Sequence, residues 1–267
     1  MTGTRPATKA ICLLALMPRR PGEFLERLSA TLASRLEMSF GSRPEYRTVG
    51  VEEGFAQLCE ALGSSVSVQQ PDLTRIEAQI KKRQAQLPAN APFARLHNGD
   101  TLLGRLCYVV TRSLRPKVIV ETGVCYGVTS SYLLHTLETG PEGHLHSIDL
   151  PPLSQNGDSY LGWLVPEELR TRWTLHRGTS RRLLPPVLAK LGCVDLFVHD
   201  SLHTYGNMKR EFTATWPALR AGGVLISDDV QCNGAFLELA QQEDVAFSIV
   251  IRERDKDALL GVAVKRA

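Results

Sequence analysis

KVIVETGVCYGVTS, residues 117–130, decides the fold. The apolar run Val118-Ile119-Val120 ends in an acid, Glu121. Gly123 and Gly127 space a turn, and Val128-Thr129-Ser130 open a helical pattern. This reads as a strand, a tight turn and a helix N-terminus. Such a terminus presents free N–H groups and partial positive charge, and glycines let a ligand approach the backbone. An acid at the strand end can accept from a ligand hydroxyl or ammonium. The stretch predicts a nucleotide-like cofactor on a doubly wound α/β sheet. It departs from the dinucleotide fingerprint, because E-x-G-x-C-x-G lacks the middle glycine and the final spacing.

The sequence after it alternates regularly. Strands are expected at Val118–Glu121, His144–Asp149, Trp173–His176, Asp195–His199, Gly223–Ser227, Val245–Ile251 and Leu259–Val264. Helices are expected at Val128–Glu138, Ser180–Leu191, Tyr205–Leu219 and Gly234–Gln241. Strands alternating with helices imply a parallel sheet covered on both faces. The last two strands are joined only by the polar turn 252–257. Parallel neighbours need a crossover of about a dozen residues or more, so this pair is expected to be an antiparallel hairpin at one sheet edge. Just before the opening strand, Asp100–Leu114 has the spacing of an amphipathic helix.

The N-terminal third is mainly helical by pattern. Ala10–Met17 is an apolar run too short to span a bilayer. Arg5 and Lys9 precede it, but no small-residue cleavage site follows, so a buried strand or short helix is expected rather than a secretion signal. Gly22–Met38 carries Phe24, Leu25, Leu28, Leu32 and Leu36 at helical spacing. Val51–Leu62 reads as a helix and Ser64–Gln70 as a loop. A further helix starts at Pro71-Asp72, with Asp72 as N-cap and Lys81, Lys82 and Arg83 on a solvated face. Pro88–Pro92 is the best linker, giving an expected helical extension over 1–97 and a core domain over 98–267. The extension has three candidate roles: covering the cofactor, binding substrate or making a homo-oligomer contact.

Composition narrows the class. A net charge of +3 over 267 residues gives no reason to expect nucleic-acid or membrane partners. Six scattered cysteines without a C-x-x-C pair argue against zinc ribbons and disulfide scaffolds and fit a cytoplasmic location.

Two groups of residues point to chemistry. Asp149 ends the second strand, where α/β folds read ribose hydroxyls; capping of the local loop is the competing reading. Thr179 and Ser180 follow the third strand, where they either meet an adenine edge or cap the next helix. Later, Asp200 and His203 leave the fourth strand, and Asp228 and Asp229 leave the fifth. Open α/β sheets place their sites at such carboxyl ends. Three close carboxylates are costly unless a cation or proton neutralises them. Oxygen ligands favour Mg²⁺, which would acidify a coordinated hydroxyl, and His203 would take the proton. A metal-free site with His203 as an ordinary polar residue is the alternative. His199 reads as a hydrogen-bonded structural histidine. His97-Asn98 reads as a plain loop pair, with contact to substrate or cofactor as the alternative. The loop Pro151–Pro166, with Tyr160 and Trp163, is expected as a lid.

VETGVCYGVTS, SIDLP, RWTLHRGTS, DLFVHDSLHTY and LRAGGVLISDDV, followed by the terminal hairpin, resemble class I S-adenosylmethionine-dependent methyltransferases. The resemblance covers about Asn98 to the C-terminus and is nearest to bacterial small-molecule and sugar O-methyltransferases. It implies a doubly wound seven-stranded Rossmann-like sheet with a C-terminal antiparallel hairpin. It also implies S-adenosylmethionine contacts from Glu121, Gly123, Cys125, Tyr126, Gly127, Ser130, Asp149, Leu150, Thr179, Ser180 and Asp200. Asp200, Asp228 and Asp229 match a Mg²⁺ set in some macrolide sugar O-methyltransferases, with His203 as the base. The implied substrate is a small molecule with a hydroxyl acceptor. Metal-independent O- or N-methylation, a nicotinamide-dependent oxidoreductase and a non-catalytic binding module are the alternatives.

Overall fold

The structure is a computed structural model that describes residues 6–40, 43–89, 91–92, 100–154, 156–254 and 256–267. Seven strands run β1 (Val118–Thr122), β2 (His144–Asp149), β3 (Trp173–Arg177), β4 (Val194–His199), β5 (Leu219–Ser227), β6 (Val245–Arg252) and β7 (Leu259–Lys265). Their order in the sheet is β3-β2-β1-β4-β5-β7-β6. The first five pair in parallel. β7 enters antiparallel between β5 and β6, as the short turn requires. The chain reverses its winding direction between β1 and β4. The switch point where such sheets place ligands therefore lies above those two strands.

Ten α-helices are described: α1 (Pro6–Leu16), α2 (Pro21–Phe40), α3 (Val51–Ala61), α4 (Pro71–Ala85), α5 (Thr101–Leu114), α6 (Val128–Glu138), α7 (Gly157–Tyr160), α8 (Ser180–Leu191), α9 (Tyr205–Thr215) and α10 (Ala235–Ala240). One apolar layer joins α3–α6 to one face of the sheet through Leu58, Ile76, Leu103, Leu133 and Ile119. The other joins α8, α9 and α10 to the opposite face through Leu184, Phe212, Phe236 and Phe197. α3 and α4 thus share the sheet's own core. Val49 also adds a parallel bridge to Ile251 at the β6 edge. The division expected at residue 97, and the pair His97-Asn98, lie outside the described residues, as does Asn90 in the expected linker.

Several expectations change. α9 ends at Thr215 instead of continuing to Leu219, because Pro217 fits a tight 3-10 turn and cannot extend an α-helix; β5 then starts at Leu219. Asp72 is not the N-cap of α4. Gln70 takes that place, Pro71 is the first helical residue and Asp72 sits in the first turn, where its charge opposes the helix dipole. The run Ala10–Met17 falls largely in helix α1 and is not buried: Ile11 and Leu14 are 68% and 60% exposed. Arg83 is not on a solvated face, since it donates to the Trp163 carbonyl and lies over the Trp163 ring. No helix among the described residues is long and apolar enough to cross a membrane.

A cluster of imidazoles lies along β2 and β3. His146 Nδ1 lies 3.3 Å from His176 Nε2, and the His144 ring centroid is 4.8 Å from that of His146. Burial, together with His144, His176 and Lys190, pushes His146 down to about 4. The unfolded chain takes up that proton near pH 6.5. His146 therefore supports folding fully above pH 6.5, and the support is lost as pH falls toward 4. His146→Asn is expected to flatten the fall in thermal unfolding midpoint between pH 7.5 and 4.5. An unchanged slope would show that His146 is not the group responsible.

Candidate active site

Above the switch point lies an open cavity of about 1480 Å³. Its floor comes from the β1 turn and the loops after β4 and β5. Its sides come from the β2 and β3 ends and the 256–258 turn, and α2 lies across the top. Lys256 ties that turn to Asp100, the N-cap of α5, at 2.9 Å.

The β1 turn is shaped by two glycines at φ +87°. A Cβ on Gly123 would sit 1.8 Å from the Asp200 carbonyl oxygen, so only glycine lets the β1 and β4 loops touch. A Cβ on Gly127 would lie 3.0 Å from both Gly162 and Val165, so this second glycine serves the packing of the 151–166 loop. Gly123, Val124 and Cys125 line the cavity. Tyr126, Gly127 and Ser130 do not. Tyr126 packs edge-on against Tyr160 at 6.3 Å, and Ser130 donates to Glu121 at 2.6 Å.

Glu121 lies beneath the turn and is fully buried. Ser130 and Ser147 both donate to its Oε2 at 2.6 Å, while Oε1 has no partner. Burial pushes this carboxyl up to about 7, against the two serine hydrogen bonds. Asp149 caps the local loop, the competing reading of this residue. Its Oδ2 accepts from the amides of Val124 and Cys125 at 2.8 and 2.9 Å, and Oδ1 accepts from Leu150. It also faces the cavity with Leu150, Thr179 and Ser180. It braces the turn at the wall of the cavity.

The acids beyond β4 and β5 converge as expected, with one rearrangement. Asp200, His203 and Asp228 each offer a ligand atom within 4.8 Å of the others. The Asp200 and Asp228 carboxyls thus crowd each other. Burial and the charge of Asp228 push Asp200 well above the carboxylate range. Burial and Asp229 push Asp228 up to about 6. Asp229 does not join them. It sits at φ +51°, Oδ2 lies 2.9 Å from His203 Nδ1, and Oδ1 accepts from Gln231. His203 therefore turns Nε2 toward Asp200, 3.9 Å away, and that nitrogen has no hydrogen-bond partner. Burial opposes the charged ring, but the Asp229 hydrogen bond and charge outweigh it and raise the His203 pKa. Two crowded carboxylates beside an orphaned imidazole nitrogen fit a divalent cation, with Asp229 supporting His203 from behind.

The sequence reading missed Glu211. It is buried beneath the site and accepts from Thr122, His199, Ser201 and Asn207 at 2.6–2.9 Å. The charge and hydrogen bond of the His199 ring, with the hydroxyl donors, hold Glu211 below the usual carboxylate range against burial, while burial pushes His199 down; His199 is the hydrogen-bonded structural histidine expected. The available signal was an acid on the buried face of α9, alongside Met208, Phe212 and Thr215. Also missed was α2 as the roof, through Glu26, Arg27, Ala30, Ala33 and Glu37. The loop expected as a lid is instead a brace, bonded from Gly162 and Leu164 to the carbonyls of Cys125 and Tyr126.

Residues 120–230 match the family model of a methyltransferase domain. No curated protein matches the chain. Among solved structures, it is similar to the O-methyltransferase from Bacillus cereus solved with S-adenosylhomocysteine, at 17% identity and TM-score 0.52, covering 80% of this chain and 99% of that one. It is similar to a methyltransferase from Geobacter sulfurreducens at 16% identity and TM-score 0.52, covering 84% and 100%. The O-methyltransferase TomG of Streptomyces achromogenes, involved in tomaymycin synthesis and solved with S-adenosylmethionine, matches at 19% identity and TM-score 0.50, covering 80% and 96%.

Gly123→Ala forces an L-residue into the left-handed region, at about 1–2 kcal/mol, and drives its Cβ against Asp200. A lowered thermal unfolding midpoint is expected, with loss of S-adenosylhomocysteine binding by calorimetry. A variant that melts and binds like the parent would show that the two loops need not touch.

Proposed function

We propose that this chain, a methyltransferase of the class I S-adenosylmethionine-dependent fold, methylates a hydroxyl of a small molecule such as a sugar, a glycoside or another natural product. The observation that carries the reading is the meeting of Asp200, Asp228 and the free Nε2 of His203, directly beside the Gly123 turn.

S-adenosylmethionine would supply an electrophilic methyl on a sulfonium. The turn at Gly123–Cys125, Asp149, Leu150 and the Thr179-Ser180 corner line the space for it. Glu121 contributes charge from beneath the turn and Asp200 from the floor. Tyr126, Gly127 and Ser130 shape the cradle from behind.

Asp200 and Asp228 would hold Mg²⁺, which lowers the pKa of a hydroxyl bound to it. His203 is set up as the base: Asp229 fixes its Nδ1, and Nε2, which has no hydrogen-bond partner, would accept the substrate proton from the neutral ring. The acceptor oxygen must lie about 3 Å from the methyl carbon and in line with it. The adjacent Gly123 and Asp200 loops put the cradle and the acids within one cavity.

Metal-independent O- or N-methylation is the second reading. The Asp229–His203 pair favours it, because that pair is a complete base without an ion. The six free cysteines are in keeping with a cytoplasmic setting.

S-adenosylhomocysteine is expected to bind by calorimetry and NAD is not; the reverse would point to an oxidoreductase. His203→Ala is expected to lower turnover roughly 10²–10⁴-fold with S-adenosylhomocysteine affinity little changed. Undiminished turnover would remove His203 as the base. EDTA is expected to abolish activity and Mg²⁺ to restore it, with Asp228→Asn losing the restoration. Activity indifferent to EDTA would select the metal-independent reading.

A further inference from the structure

Nine large apolar side chains are exposed among the described residues, and seven fall on one helical hairpin. Leu25, Leu28, Leu32 and Leu36 are on α2, Ile11 and Leu14 on α1, and Met17 lies between the helices. Their exposure runs from 37% to 68%. The α2 leucines are spaced three, four and four residues apart. That spacing draws a narrow stripe down one side of a helix, the pattern of a helix–helix seam.

The opposite side of α2 is occupied. Glu26, Arg27, Ala30, Ala33 and Glu37 line the cavity. Glu23 binds Arg177 at 2.9 Å, Arg27 donates to the Pro151 carbonyl at 2.7 Å, and Glu26 accepts from Thr179 at 2.7 Å. At the other end Glu37 accepts from the amides of Tyr205 and Gly206 at the start of α9. The helix is a roof, polar contacts hold it from within, and among the described residues nothing covers its apolar side.

We infer that a second copy of this chain covers that side, packing α2 antiparallel against its own counterpart and clamping the roof of both cavities. The stripe is self-complementary under a two-fold axis. Leu28 of one copy lies opposite Leu32 of the other, and Leu25 opposite Leu36. No charged side chain falls within the stripe, so self-pairing brings no like charges together. Seven side chains at these exposures present roughly 600–700 Å², near the 800 Å² or so that each partner of a stable interface buries and above what most monomers leave bare. A membrane surface fits less well. The stripe has no aromatic anchor, and the reverse face of α2 is a cavity wall rather than a solvated basic face. The assembly stands on the apolar face alone; the consequence for cofactor retention rests on the proposed cofactor.

The test uses sedimentation velocity on the full chain at tens of micromolar, without cofactor. The parent is expected to be a dimer. Leu28→Glu with Leu32→Glu is expected to be monomeric, and so is Leu28→Lys with Leu32→Lys. Mixing the two variants is expected to restore a dimer, because position 28 of one copy meets position 32 of the other. Restoration also shows that both variants are folded. A monomeric parent, dimeric single variants or a mixture that stays monomeric each overturns the proposal. Parent monomers that co-sediment with anionic phospholipid vesicles would assign the face to a membrane instead. S-adenosylhomocysteine is expected to bind the glutamate variant about tenfold more weakly than the parent. Equal affinity would overturn the clamp. Absence of binding in the parent would instead overturn the cofactor reading and leave the sedimentation result intact.

Discussion

The close approach of the Gly123 backbone to the carbonyl of Asp200 is the contact on which the site depends. Neighbouring bonds reinforce it: Asp200 N–H donates to Thr122, and Asp228 N–H donates to His199. The ends of β1, β4 and β5 are thereby laced in sequence. A side chain at position 123 would separate the cradle from the acids by wedging two loops apart. The proposed reaction requires those two regions to share one space, and a missing Cβ at position 123 provides it. Asp149 secures the same turn from the β2 side through two amides. Glu211 secures the acid loops from below through four donors on β1, β4, the loop after β4 and α9.

The N-terminal third completes this architecture in two different ways. α3 and α4 are core elements, buried through Leu58 and Ile76 in the same apolar layer as α5 and α6. α2 is a surface element held by ion pairs and amide contacts across the cavity mouth. The first pair gives the sheet a covered face, and the second gives the cavity its upper boundary. Polar anchoring of this kind can be released without disturbing the core, whereas removing α3 or α4 would expose it.

The sheet was legible in the sequence because its central strands are buried on both faces and read as short apolar runs bounded by turn residues. The hairpin was legible from one length, the turn too short for a crossover. Boundaries were missed where a single residue overrode the periodicity, as Pro217 does at the end of α9. The facing of α2 was not legible. Periodicity located the leucine stripe, but it does not say which side of a helix meets the protein, and here the polar side does. The acid pair was only half legible for a similar reason. Asp228 and Asp229 are the same residue type and both line the cavity, but Asp228 gathers with Asp200 while Asp229, at a left-handed backbone, bonds His203 Nδ1.

Glu121 carries a consequence for how the cavity handles charge. Burial pushes its carboxyl up to about 7 and leaves one oxygen without a partner. A sulfonium and an ammonium seated above the turn would favour the ionised form in a buried, weakly polarisable setting. Capture of the proposed cofactor would then expel a proton, and affinity would rise with pH across the neutral range. The heat of binding would include the ionisation heat of the surrounding buffer. Release of the sulfur-neutral product would let the proton return, so each turnover would cycle this carboxyl through both of its states.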